Sequence, residues 1–172
     1  MANDLVVVSS NILSSDTGSV TLTGMSSTFT HYLTTFNEVT PTVANADLQF
    51  RFTVGGSAVS SNDYDEAIAF LRSDSTNDND SQTNRNNMFL TGSIENDDVG
   101  SSNGLIYIFN SQNSANTYAT IEDVYIAEDG TMLGQQGGFL LTSSSVVDGV
   151  QYFFDSGNIR DGARFVLYGF NK

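Results

Sequence analysis

Cysteine and tryptophan are absent from the chain, proline occurs once at Pro41, and histidine once at His31. Without cysteine there is no disulfide framework, no thiolate nucleophile and no cysteine-ligated zinc, while the redox compartment stays open. With one histidine, any Ser-His-Asp triad has to use His31. Its surroundings, Thr30-His31-Tyr32-Leu33-Thr34, read as ordinary strand, and no Gly-x-Ser-x-Gly elbow is read in the chain. Positive charge is also scarce. Six cations, Arg51, Arg72, Arg85, Arg160, Arg164 and Lys172, are scattered among 20 acidic residues, for a net charge of -14 at pH 7. Such a chain repels phosphate backbones and offers no cluster to hold them, so nucleic acid is excluded as a partner. Apolar runs reach only about five residues, against the roughly 18 of a membrane span, so no membrane role is expected. Met1-Ala2-Asn3-Asp4 followed by Leu5 to Val8 lacks the basic region and the longer apolar region of a secretory signal, so no signal peptide is expected.

What is present points to strands. At 172 residues the chain suits one domain, residues 1–172, with 39% hydrophobic residues and bulk supplied by 12 Phe and 7 Tyr. In Asp47 to Val54, Leu48, Phe50, Phe52 and Val54 share one face and Gln49, Arg51 and Thr53 the other, and Gly55-Gly56 then turns the chain. Further β-rich stretches lie near 18–23, 29–39, 87–95, 104–110, 117–127, 138–142, 150–155 and 164–170. Asp129-Gly130 is read as a tight hairpin turn. Tyr64 to Leu71 fits both periods: Tyr64, Ala67, Ile68 and Leu71 have helical spacing, whereas Tyr64, Glu66, Ile68 and Phe70 alternate, and strand is preferred. Pro41 is expected to end the preceding strand. Residues 73–87 contain no aliphatic or aromatic side chain and are expected to form a long polar surface loop, with shorter loops at 96–103 and 111–116. The expected fold is all-β: an antiparallel two-sheet β-sandwich, jelly-roll-like, of about ten strands.

No residue set emerges as catalytic, cofactor-binding or metal-binding. Asp63, Asp65, Glu66, Asp97, Asp98, Asp123 and Asp129 are candidate carboxylates for glycoside chemistry, but their abundance says nothing about the short separations it needs. Asp74, Asp78 and Asp80 offer hard oxygen ligands for calcium without the glycine and terminal glutamate of an EF-hand, so solvated charge is the simpler reading. Gly134-Gln135-Gln136-Gly137-Gly138 and the stretch from Gly157 to Gly162 lack the lysine and hydroxyl of a phosphate loop and read as turns and close strand packing. Tyr107, Tyr118, Tyr125, Tyr152 and Tyr168 are candidates for a sugar-stacking platform, with core packing the competing reading.

Gly149-Val150-Gln151-Tyr152-Phe153-Phe154-Asp155-Ser156-Gly157-Asn158-Ile159, followed by Gly162-Ala163-Arg164-Phe165-Val166-Leu167-Tyr168-Gly169, resembles the ending of tailed-phage virion structural proteins, particularly those of marine cyanophages. Upstream, Tyr32, Phe36-Asn37, Val39, Leu48 to Phe52, Tyr64 with Ala67 and Leu71, and Asn103-Gly104 to Tyr107 with Phe109-Asn110 are similar in order. The resemblance implies a non-enzymatic particle component assembled in the host bacterial cytoplasm. The expectation is a capsid decoration protein on the virion, a homo-oligomer contacting the major capsid protein or neighbouring virion proteins, with residues 1–12 as an arm pairing with a neighbour's sheet edge. The alternative is a tail-fibre or tail-tip domain that binds host-surface glycan.

Overall fold

Alternation of large apolar with polar side chains gives most of these segments one buried face, and thirteen strands form among the residues described by the computed structural model, 4–74, 77–97 and 100–171. They are β1 (Leu5–Ile12), β2 (Ser19–Thr23), β3 (His31–Val39), β4 (Ala46–Val54), β5 (Ser57–Ala58), β6 (Tyr64–Arg72), β7 (Asp78–Arg85), β8 (Met88–Ile94), β9 (Ser102–Phe109), β10 (Thr117–Ile126), β11 (Met132–Leu141), β12 (Gly149–Phe154) and β13 (Arg164–Phe170). An eight-stranded sheet runs β1-β13-β3-β9-β10-β11-β6-β7, and a second runs β2-β12-β4-β5 with β8 also on β4. All pairings are antiparallel. The chain alternates between sheets from β1 to β4 and again from β11 to β13, which closes the expected two-sheet sandwich over one core.

Several local expectations change. Residues 73–87 are not one loop: Asp78–Arg85 forms β7, exposed along its length except near Arg85. It buries almost nothing and is held by its ladder to β6, where Gln82 faces Glu66 and Asp78 faces Phe70. Hydrophobic patterning is therefore blind to it. Residues 5–12 are not a projecting arm either, because β1 pairs with β13 of the same chain; Met1, Ala2 and Asn3 lie outside the described residues. The strand count exceeds ten through β7 and the two-residue β5, while β11 runs unbroken through Gly134–Gly138. Gly55 (φ 60°) and Gly56 (φ 76°) form the left-handed pair that a two-residue hairpin requires. At Asp129-Gly130 only Gly130 is left-handed, and its N–H donates to the Ala127 carbonyl, so the connection is a three-residue loop rather than a two-residue turn.

The two sheets meet on aromatic rings. From β12, the fully buried Tyr152 reaches Phe50 of its own sheet at 5.2 Å between centroids and Phe36 and Phe165 of the facing sheet at 5.7 and 4.9 Å. Its hydroxyl and that of Thr34 share a buried 2.8 Å hydrogen bond across the core. Tyr64, also fully buried, donates to the Val59 carbonyl and accepts the Phe52 N–H. Each buried ring thus adds apolar area while its polar tip is satisfied.

Other buried polar groups are less well served. Asp123 on β10 faces Gln135 on β11; both are buried, and neither side chain has a hydrogen-bond partner among the described residues. Desolvation pushes the Asp123 carboxyl up to about 8 from an ordinary 3.8. Burial also raises Glu66 and Asp47. Because folded Asp123 keeps a proton that the unfolded chain releases near pH 4, the contribution of this group to stability is greatest below about pH 4 and falls as pH rises from about 4 to about 8, by up to roughly 1.4 kcal/mol per pH unit. Asp123→Asn is expected to melt several degrees above the parent at pH 8 and level with it at pH 4. Parallel melting curves across that range would contradict this account.

Candidate functional site

In β9, Leu105-Ile106-Tyr107-Ile108-Phe109 is apolar at every position, the pattern of a strand buried on both faces. Here only one face is covered. Ile106 and Ile108 enter the core, while Tyr107 and Phe109 point outward, 36% and 39% exposed. The neighbours repeat the arrangement. Phe109 faces His31 on β3 and Tyr118 on β10, Tyr107 faces Leu33 and Thr120, and Tyr168 on β13 faces Leu33 and Val7. His31 stacks on Phe170 at 4.1 Å and on Phe109 at 5.9 Å, and Tyr107 lies 6.2 Å from Phe170. The outer face of β1, β13, β3, β9 and β10 thus carries an apolar and aromatic surface at the end that holds Phe170, His31, Phe109 and Tyr118, which gives way to Thr35 and the hydrogen-bonded pair Asn37 and Asn103 toward the other end. Its formal charges are peripheral: Glu122 on β10, and Arg164 on β13, which lies 3.5 Å from Glu38. None of the other described residues covers it.

Beyond Tyr118 the same face drops into a trough of about 640 Å³. Its floor is Gly138 on β11, facing Thr120 and Ala67, and its walls include Tyr118, Asp65 and Gln82. Gly138 has no positive φ, and a Cβ added there would meet nothing nearer than the Ala119 carbonyl at 3.9 Å. Neither backbone conformation nor internal packing calls for glycine. Gly137 differs, because its Cβ would overlap Ile68 and the Ala67 carbonyl. Glycine inside a strand costs order, and where packing does not explain it, it marks a close approach by something else. The trough combines a half-exposed tyrosine ring, a carboxylate, an amide and a hydroxyl, a donor and acceptor set suited to a polyhydroxylated ring.

The other candidates disperse. Asp65 lines the trough and accepts the Asn84 N–H at 3.0 Å. Glu66 points into the core, where it accepts the Phe89 N–H and faces Arg85 at 3.8 Å. Asp123 also lies inside, but the register Asp123, Gln135, Phe70 sets it two strands over and four residues along from Glu66, roughly 10 Å across and 13 Å along at the backbone. That exceeds the spacing of a glycosidase pair. Asp129 sits in the exposed hairpin, where the Thr131 N–H and Arg72 hold its carboxyl below the ordinary range. Asp97 caps the Gly100 N–H, Asp63 lies in the turn before β6, and Asp98 is outside the described residues. Asp74 pairs with Arg72 at 2.9 Å, whereas Asp78 and Asp80 on β7 accept the N–H of their following residues. No three metal-ligating side chains converge among the described residues. The spacing Gly-x-Ser-x-Gly does occur, in Gly100-Ser101-Ser102-Asn103-Gly104, which corrects the reading of the sequence. Ser102 is nevertheless fully buried at the start of β9, and His31 faces Phe109 at the opposite end of that strand. It is not a nucleophile.

The five tyrosines divide. Tyr125 and Tyr152 are buried, and desolvation pushes the Tyr125 hydroxyl up to about 12. Tyr107 and Tyr118 are exposed, and Tyr168 is half-buried on the same outer face. Sequence reasoning missed the partners of these rings, Phe109, Phe170 and Leu33. Their signal was available in strands apolar on both faces, β9 above all.

No protein-family model matches the chain, and no curated protein does. Among solved structures it is similar to the crystal structure of the Caenorhabditis elegans galectin LEC-6, at 8% identity and a TM-score of 0.38, over 95% of this chain and 96% of that one.

Proposed function

We propose that this chain is a non-catalytic structural component of a tailed-phage particle, a capsid decoration protein that docks on the major capsid protein or another virion neighbour. The observation that carries the reading is the charge-poor aromatic face of the eight-stranded sheet. Five strands about 4.8 Å apart and about five residues deep give a surface of roughly 20 by 15 Å, enough to form the apolar centre of an interface that reaches a standard size of about 800 Å² per partner. On a chain of net charge -14, a face with charge only at its margins is out of keeping with simple solubility. Depletion of charge with enrichment in Tyr and Phe is the composition of an interface core, and patches of this extent serve binding. The sequence resemblance to virion proteins names the kind of neighbour.

A density map of intact particles tests this, with many copies expected on the shell. A few copies at the tail would overturn decoration, and absence from purified particles would overturn any virion role. Folded Tyr107→Asp/Phe109→Asp protein is expected to load onto shells at least about tenfold less well than the parent.

The trough favours a second reading, a tail-fibre or tail-tip module that holds host-surface glycan. A pyranose laid on Tyr118 would be flanked by Asp65, Gln82 and Thr120. Gly138→Leu fills the trough without touching the core, so it is expected to leave the melting temperature unchanged while abolishing calorimetric binding of host polysaccharide. Equal binding by parent and variant would remove this reading.

A further inference from the structure

The two edges of the eight-stranded sheet are built on opposite principles. At one end, β7 carries Asp78, Asp80 and Arg85, the charged dressing by which natural sheets keep edges from pairing. At the other, β1 has no charged residue from Leu5 to Ile12, and Leu5, Val6, Val7 and Ile12 are 45%, 37%, 57% and 69% exposed. Asp16 is the single formal charge between residues 5 and 37, in a chain that holds 26. That neutral stretch also forms β2, which packs beside β1 as the edge of the second sheet, so one whole flank of the sandwich is uncharged strand.

The free side of β1 is also ready in its backbone. Asn171 N–H donates to the Asp4 carbonyl and Leu13 N–H to that of Ala163, and the register shifts between Val7 and Ser9. By the alternation of an antiparallel ladder, the N–H and C=O groups of Leu5, Val7, Ser10 and Ile12 therefore point away from β13. We propose that β1 pairs antiparallel with β1 of a second copy of this chain, joining the two eight-stranded sheets into one. An identical neutral strand is the partner whose charge pattern fits, since any acidic strand of this protein would set carboxylates against this edge or leave its apolar side chains in water. Centred on the strand, the dyad sets Leu5 of each copy opposite Ile12 of the other and Val7 opposite Ser10, and it continues the outer face across both. With β7 closed by its charges, the eight-stranded sheet of each copy has one such edge, and its extension stops at two.

Light scattering and sedimentation velocity of the full chain test this. A mass twice the 18.5 kDa of one chain is expected, with tighter association as salt screens the net charge. Val7→Lys/Ile12→Lys should be monomeric with unchanged circular dichroism and at least about tenfold weaker association, while Gln82→Lys on β7 should remain dimeric. If the double variant fails to fold, Ser10→Lys at the same exposed edge decides. A monomeric parent, an assembly larger than two, or a dimer that survives the β1 variants and falls apart with Tyr107→Lys would each overturn the proposal. None of these outcomes bears on whether the protein is found on phage particles, so the two readings fail separately.

Discussion

The sandwich depends on one cross-sheet contact, Tyr152 against Phe36 and Phe165, locked by the hydrogen bond between the Tyr152 and Thr34 hydroxyls. Two sheets packed face to face have no backbone bonds between them. Their relative position is set by interdigitating side chains, and a ring that spans both layers with its polar tip satisfied sets it most strongly. Phe50 and Phe52, 5.2 Å apart and edge to face, extend the contact along β4, and Tyr64 closes it toward β6 by bonding the Phe52 backbone. Everything on the outer face inherits its position from this layer, because each outward side chain alternates with an inward one that is fixed.

The same core explains the tension in the interior. The chain carries 20 carboxylates, and the sandwich draws Asp123 and Glu66 inside. Glu66 meets a backbone N–H and Arg85; Asp123 meets no donor among the described residues, and desolvation raises its pKa unopposed. Gly104, whose Cβ would strike both Asp123 and the Phe36 ring, shows how tightly the surroundings close on this carboxyl. The structure tolerates such a group because the neutral acid is far less costly to bury than the anion.

Outside, charge and apolar surface are sorted rather than mixed. Aromatic rings gather on β13, β3, β9 and β10, small residues make the trough on β11 and β6, and polar β7 walls it off. An acidic protein with one neutral flank and one neutral face offers two directions that fit the contacts proposed above. That property suits assembly, and it requires no catalytic group.

Much of this was legible in the sequence. Period-two alternation in Leu48 to Phe52 and the glycine turn after Val54 follow from local patterning, because one buried face per strand is a local demand; Thr53 is nevertheless buried, and Tyr64 to Leu71, which fits both periods, is settled as strand only by its pairing with β11 and β7. The absence of cysteine, the lone histidine and the acidic balance bound the chemistry in the same direct way. Edge strand β7 was illegible, since a ladder held by backbone bonds leaves no mark in side-chain hydrophobicity. So were the separate roles of Gly137 and Gly138, neighbours in the chain that face opposite sides of a sheet. The sequence by itself determined that the chain is strand-built and acidic, because periodicity and charge are properties of the residues alone. Only the tertiary structure decided which tyrosines are core and which are surface, which glycine opens a trough, and that β1 lies at an open edge, because each depends on what packs against a strand from elsewhere in the chain.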